Sequence, residues 1–344
     1  MIEKRTFARI GLMGNPSDIF FGKTISCCIT NFYATVTLVE SELLKIEAHK
    51  IFDPTEFSCL KELEVTTSRD GYYGGIRLIY ATCKRFSEYC EENGLTLNTK
   101  NYTIRYDSTI PRQVGLGGSS AIITSLLKSL MEFYGISDED IPLEIQPNLI
   151  LSVETDELGI NAGLQDRVVK TYGGTVYMDF DKSIMDSLGH GRYERMYSNM
   201  LPNLFLAYIE STGKESGRMH NEVRFRYSQG DKEIVNAMAT FAEFAAEAKQ
   251  ALEEGDHKQF GKLMNMNFDL RRKIYGDDAI GKKNLQMIEI ARKLGAPVKF
   301  PGSGGSVFGM YESDDQYRKL QTEYLNRGYK FTKANPQILD HLVQ

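Results

Sequence analysis

Residues 111–121 read Pro111-Arg112-Gln113-Val114-Gly115-Leu116-Gly117-Gly118-Ser119-Ser120-Ala121, three glycines and two serines in one short run. Ahead of this run Tyr102, Ile104 and Tyr106 alternate with polar residues, as in a half-buried strand. Behind it Ile122, Ile123, Leu126, Leu127, Leu130 and Met131 recur at helical spacing as far as about Tyr134. A strand, a glycine loop and a helix in that order can cradle phosphate. Glycine lets the backbone approach an anion, successive N–H groups point into the concavity, and the helix N-terminus adds partial positive charge. Ser119 or Ser120 can also N-cap the helix. A plain strand-to-helix turn is the competing reading. The run has neither the Gly-Lys-Ser/Thr ending of a P-loop nor the G-x-G-x-x-G spacing of a dinucleotide site.

Outward from the loop, residues 5–13 and the alternating Phe32, Ala34, Val36 and Leu38 predict strands, and 73–92 predicts a helix. Further helices are expected at 144–156 and 164–172, separated by a loop at 157–163, with a strand near 174–180. Residues 203–210 read as a strand, and 231–254, 257–275 and 313–327 as helices. Strands and helices mix without regular βαβ alternation, so the expected class is α+β. At 344 residues two lobes are expected, divided near 181–200 into 1–190 and 191–344.

Composition is that of an ordinary globular chain, 42% apolar and 25% charged, which excludes disordered and fibrous classes. The net charge of -5 argues against a broad nucleic-acid surface, so any anion site must be local. Cys27, Cys28, Cys59, Cys83 and Cys90 form no C-x-x-C pair and the histidines no H-x-x-x-H pair, which removes the usual zinc spacings. Scattered thiols fit a reducing compartment. The N-terminus lacks the apolar core of a signal peptide, and no apolar run reaches about 18 residues, so a soluble cytoplasmic protein with no membrane partner is expected.

The loop pattern resembles the phosphate loop of the GHMP kinases, whose members include galactokinase, homoserine kinase and mevalonate kinase. Two further segments resemble that family in the right order: Arg9-Ile10-Gly11-Leu12-Met13-Gly14-Asn15-Pro16-Ser17-Asp18, and Lys299-Phe300-Pro301-Gly302-Ser303-Gly304-Gly305-Ser306-Val307. Within the superfamily the chain is most similar to the glucuronokinases. That likeness runs through Asn15–Asp18, Tyr72–Arg77, Ile110–Gln113, Glu157–Ile160 with Gly163–Arg167, and Asn267–Arg272. Heptose and fucose kinases share the Gly-x-Gln-Asp element. The resemblance implies a two-lobed GHMP fold, with an N-terminal lobe like ribosomal protein S5 and a ferredoxin-like C-terminal lobe. It implies an ATP-dependent kinase acting at the anomeric hydroxyl of a sugar, D-glucuronate first, as monomer or homodimer with no nucleic-acid partner.

The same resemblance implies roles for particular residues. Asp166 is the expected catalytic carboxylate, accepting or orienting the proton of the attacking hydroxyl, and Arg9 the permanent cation that pairs with it. Pro111, Gly115, Leu116, Gly117, Gly118, Ser119, Ser120 and Ala121 are expected to bind the nucleotide. Glu154 and Ser120 are expected to hold Mg²⁺, which prefers a few hard oxygens completed by phosphate and water. Glu157 lies close enough to compete with Glu154, and the extra glycine at Gly117-Gly118 leaves open which serine reaches the metal. Asp18, Asn15 and Gly304 are expected at the substrate.

A glucuronate carboxylate also calls for an arginine. Arg167, Arg271, Arg272 and Arg77 are all candidates. Tyr72 and Tyr73 are read either as a pocket wall or as core. Asn15-Pro16 stands where galactokinases and mevalonate kinases frequently carry Glu-His, which points away from those branches. A GHMP decarboxylase of isoprenoid precursors is disfavoured by Gly-x-Gln-Asp and by Asn-Pro-Ser-Asp. A non-catalytic sugar sensor is disfavoured because no motif is disabled.

Overall fold

The computed structural model describes residues 1–70, 74–210 and 217–339, the side chains of 69, 70 and 217–221 excepted, and divides into two compact units. The first comprises residues 1–8, 32–110 and 117–171. Here the second half of the strand Lys23–Ser41 pairs antiparallel with Asn101–Ser108, from Ala34 opposite Ser108 to Ser41 opposite Asn101. Val36 lies across from Tyr106 and Leu38 from Ile104, all four buried, because the two-residue period of a strand sends alternate side chains to one face. The helix Gly118–Tyr134 buries Ile123, Leu126, Leu127 and Leu130. It is also hydrogen-bonded to the strands, since Ser125 Oγ donates to Thr6 Oγ1 at 2.8 Å and to the Ala34 carbonyl at 3.3 Å. The helix Ile76–Glu92 brings Phe86 to 5.9 Å from the ring of Tyr134.

The second unit comprises residues 9–31, 111–116 and 172–344. The first half of Lys23–Ser41 pairs here with Thr175–Asp179, which pairs in turn with Arg192–Met196. A separate antiparallel sheet runs in the order Lys330–Ala334, Leu204–Tyr208, Ser306–Met310, Val298–Lys299. Its core gathers Phe205, Ala207, Val298 and Val307 with Met287, Ala291, Leu320 and Tyr324, whose hydroxyl donates to the Met287 carbonyl at 2.6 Å. The long helices Lys232–Glu253 and His257–Tyr275 start where Asp231 and Asp256 accept from backbone N–H groups, the usual role of an N-cap carboxylate. The class is α+β, as expected.

Several elements depart from the sequence reading. The strand expected from Phe32 is the second half of a 19-residue strand. Its first half buries Thr24 and Ser26 as well as Ile25 and Cys27, and burial on both faces erases the alternation by which strands are recognised. The helix Lys282–Lys293 was not anticipated, because only Met287, Ile288, Ile290 and Ala291 of its twelve residues are buried. The helix expected over 144–156 is regular only at Gln146–Ser152 and continues as a π-helical turn, Val153–Glu157. The glycine-loop helix begins at Gly118, with Gly117 as its N-cap in the left-handed region at φ 73°, so neither serine caps it. Tyr72 and Tyr73 lie outside the described residues. All five cysteines are free, Cys27, Cys28 and Cys90 being buried, and no helix among the described residues is long and apolar enough to cross a membrane.

Core packing separates leucines by position. Leu126→Ala should lower the unfolding free energy by about 2–5 kcal/mol. Leu325→Ala, on an exposed helix face, should change it by less than about 0.5 kcal/mol. Urea denaturation followed by circular dichroism measures both.

Candidate active site

In the first unit the site is built at the start of the helix Gly118–Tyr134. Three donors converge on the Gly117 carbonyl: Ala121 N–H at 3.2 Å, Ser120 Oγ at 3.1 Å, and the ammonium of Lys170. Lys170 comes from the helix Gln165–Tyr172, one turn beyond Asp166. An ideal Cβ on Gly117 would meet Lys170 Nζ and come within 3.0 Å of Asp166 Oδ2, so the absent side chain is what admits both groups. Lys128, from the loop helix, donates to the carbonyls of Lys170 and Thr171 at 3.4 and 3.2 Å, a cation at a helix C-terminus.

Glu154 sits on the π-helical turn, a local geometry that often marks functional positions. It is buried, with one carboxylate oxygen accepting from Ser119 Oγ at 2.8 Å and the other paired with Arg167. Arg167 also donates to the Gly163 carbonyl at 2.9 Å. Two questions left by the sequence are thereby narrowed. The hydroxyl at Glu154 belongs to Ser119, while that of Ser120 turns back to Gly117 inside the first helical turn. Glu157 points elsewhere, to Lys84 at 2.6 Å.

In the second unit the loop residues 111–116 pack against two of the quoted motifs. Arg9 donates to the Gly115 carbonyl at 2.6 Å and to that of Pro301 at 2.9 Å, and its own N–H reaches the Leu116 carbonyl at 3.2 Å. Ser306 Oγ donates to the Val114 carbonyl at 2.5 Å. Gly115, at φ 70°, lies so near the backbone of Ser303 and Gly304 that a Cβ there would stand 3.0 Å from Ser303 N and from the Gly304 carbonyl oxygen. Gly304 packs beside Asn284, whose Oδ1 accepts from the Gly305 N–H at 2.9 Å. Pro111 flanks this stretch, and Leu116 is buried at its end.

The remaining predicted residues of this unit separate by what they touch. Asn15, which precedes a cis peptide bond to Pro16, accepts from Lys299 Nζ at 2.6 Å, and its carbonyl accepts from Asn267 at 3.2 Å. Asp18 is half-buried, and its charge raises the pKa of Tyr275, although burial is the larger cause. Arg271 is buried between the rings of Phe300 and Tyr275, at 5.3 and 5.4 Å, and donates to the Gly302 carbonyl at 2.9 Å. It makes no ion pair among the described residues, and burial lowers its pKa. Lys299 is likewise buried and donates to neutral groups, the carbonyls of Gly11 and Phe300 at 2.8 and 2.9 Å and Asn15 Oδ1. Burial first, then the charges of Arg271 and Arg9, hold its pKa well below the lysine range. Arg272 is exposed and held on both nitrogens by Asp277 at 2.6 Å. Arg77, in the first unit, lies in the first turn of Ile76–Glu92.

Lys170 and Tyr275 were missed by the sequence reading. Each follows a singled-out residue by four positions on a predicted helix, Asp166 and Arg271 respectively, and this spacing shares one helix face.

A glycine loop held by buried cations, with a carboxylate at its helical end, on an α+β scaffold, is the equipment of a phosphoryl-transfer enzyme. The family models "GHMP kinases N terminal domain" and "GHMP kinases C terminal" match residues 77–174 and 248–330. The chain belongs to the GHMP kinases, which use ATP. It is 47% identical over 331 residues to probable glucuronokinase 2 of Arabidopsis thaliana, covering 96% of this chain and 90% of that one. Identity to glucuronokinase 1 of the same plant is 46% over 342 residues, covering 98% and 94%. The structure of Lactococcus lactis galactokinase complexed with galactose aligns over 98% of this chain and 94% of that one, with a TM-score of 0.73 at 16% identity, a likeness of fold.

The buried Glu154–Arg167 pair generates a stability prediction. Glu154→Gln leaves a desolvated guanidinium without its counter-charge and should cost about 3–5 kcal/mol. Glu157→Gln, which breaks a pair with the exposed Lys84, should cost less than about 1 kcal/mol. Equal urea midpoints for the two variants would contradict this account.

Proposed function

We propose that this kinase transfers the γ-phosphoryl of ATP to the anomeric hydroxyl of D-glucuronate. The observation that carries the substrate assignment is Arg271, a buried guanidinium held by one carbonyl and two aromatic rings with no carboxylate of the chain paired to it among the described residues. A desolvated cation in that state favours an anionic ligand, and guanidinium matches carboxylate in bidentate geometry. Two of the other candidates fit less well. Arg167 is engaged by Glu154 and Arg272 by Asp277. The names of the two plant relatives agree with a uronate substrate.

In this reading Asp166 accepts or orients the proton of the attacking hydroxyl. The loop residues Gly115, Leu116, Gly117, Gly118, Ser119, Ser120 and Ala121, following Pro111, hold the ATP phosphates through backbone N–H groups and the helix N-terminus. Arg9, fixed on the Gly115 and Pro301 carbonyls, keeps a permanent positive charge for the phosphoryl group in flight. Asp18 accepts from sugar hydroxyls near Tyr275, and Gly304 keeps the backbone close to the loop. Two hard oxygens, Glu154 Oε1 and Ser119 Oγ, stand 2.8 Å apart at the helix start and suit Mg²⁺, with Ser119 a better donor here than the inward-turned Ser120. When bound, that ion would neutralise the phosphate oxygens. The chain's own contribution is position and field.

Two experiments test the reading. ADP release with Mg-ATP should occur on glucuronate and not on galacturonate, galactose, glucose, fucose, mannose or a heptose, and Asp166→Asn should fold normally while losing most turnover. Turnover confined to another sugar would move the substrate and keep the kinase. Arg271→Gln should raise KM for glucuronate by about 10- to 100-fold, the worth of a charged hydrogen bond, with little change in kcat. An unchanged KM would remove Arg271 from the substrate.

A further inference from the structure

The loop itself contains no lysine, in contrast to a P-loop, yet the fold brings one to it. Lys170 is buried, and its ammonium is anchored on the Gly117 carbonyl where the loop turns into its helix. Gly117 stands at φ 73°, and the space that a Cβ would take there is bordered by both Lys170 Nζ and Asp166 Oδ2. This bond fixes the position of the ammonium at the start of the helix. The backbone beneath it is fixed as well, since Lys128 from the loop helix holds the Lys170 and Thr171 carbonyls. The helical period sets Asp166 and Lys170 on one face, one turn apart.

We propose that Lys170 is a phosphate-binding catalytic residue, presenting its ammonium to the transferred phosphoryl group of ATP beside Asp166. The proposal rests on the reading of the chain as an ATP-dependent sugar kinase with Asp166 at the reacting hydroxyl. Lys170 supplies from the helix Gln165–Tyr172 the lysine that the loop sequence lacks. A point charge on a flexible stem suits phosphate. Held in advance by a fixed carbonyl, it needs little reorganisation as charge develops on the phosphoryl oxygens.

The test uses Lys170→Met, which keeps length and removes charge, and Lys170→Arg, which keeps charge. Three quantities are read for each: kcat and KM with glucuronate, affinity for the Mg²⁺ complex of a non-hydrolysable ATP analogue by calorimetry, and thermal midpoint. The Met variant should lose about 100-fold in kcat, comparable to removal of one preorganised donor. It should also bind the analogue about tenfold more weakly, with KM for glucuronate within about twofold and a midpoint near that of the wild type. The Arg variant should recover at least about a tenth of the lost rate. A Met variant within about threefold of wild type in both kcat and analogue affinity would overturn the proposal. So would equal impairment of both variants with a lowered midpoint or a raised KM for glucuronate, which marks a packing role. If the wild type turns over no sugar, the parent reading fails, and the analogue titration decides Lys170 by the same criterion.

Discussion

Buried cations anchored on backbone carbonyls set the terms within each of the two units. Arg9 holds Gly115 and Pro301, Arg271 holds Gly302, Lys299 holds Gly11 and Phe300, and Lys170 holds Gly117. A buried carbonyl needs a donor, and each of these side chains provides one. The glycines follow from the same constraint. Gly302 leaves room for the Gly115 carbonyl and the Arg9 guanidinium, and Gly117 leaves room for Lys170. A methyl group at either position would displace the cation from the backbone that fixes it.

The cost of this arrangement is desolvation, and it falls on the second unit most visibly. Lys299 is pushed well below the usual lysine range, and Arg271 is lowered by burial. Burying such groups costs solvation energy that hydrogen bonds to neutral groups only partly offset. Glu154 and Arg167 illustrate the opposite solution, in which the chain supplies both charges and the pair is a fixed part of the framework. The contrast separates an arginine held by neutral groups from one paired within the chain. It also explains how a chain with net charge -5 can host a strongly anionic nucleotide, since the positive charge is local and dry.

Much of the scaffold was legible before any coordinates. The loop at 111–118, the helix that follows it and the two long helices of the second unit carry periodicity and capping residues that act locally. Elements without such signals were invisible. Burial on both faces hid the first half of Lys23–Ser41, and a mostly polar face hid Lys282–Lys293. The π-helical turn at Glu154 was also hidden, because residues 144–156 have the composition of an ordinary helix.

The amino-acid sequence by itself determined the class of the fold, the glycine-rich loop at 111–121 and the resemblance to a kinase family, since these depend on residue type and spacing along the chain. Only the tertiary structure decided which oxygen faces Glu154, which candidate arginine is held by a carbonyl and two rings, and which lysine reaches the loop. Those outcomes depend on the direction of side chains brought together from distant segments. Arg271 and Gly302 meet across 31 positions and Lys170 and Gly117 across 53. At such separations local propensity carries no information, and the packing of helices and strands chooses the partners.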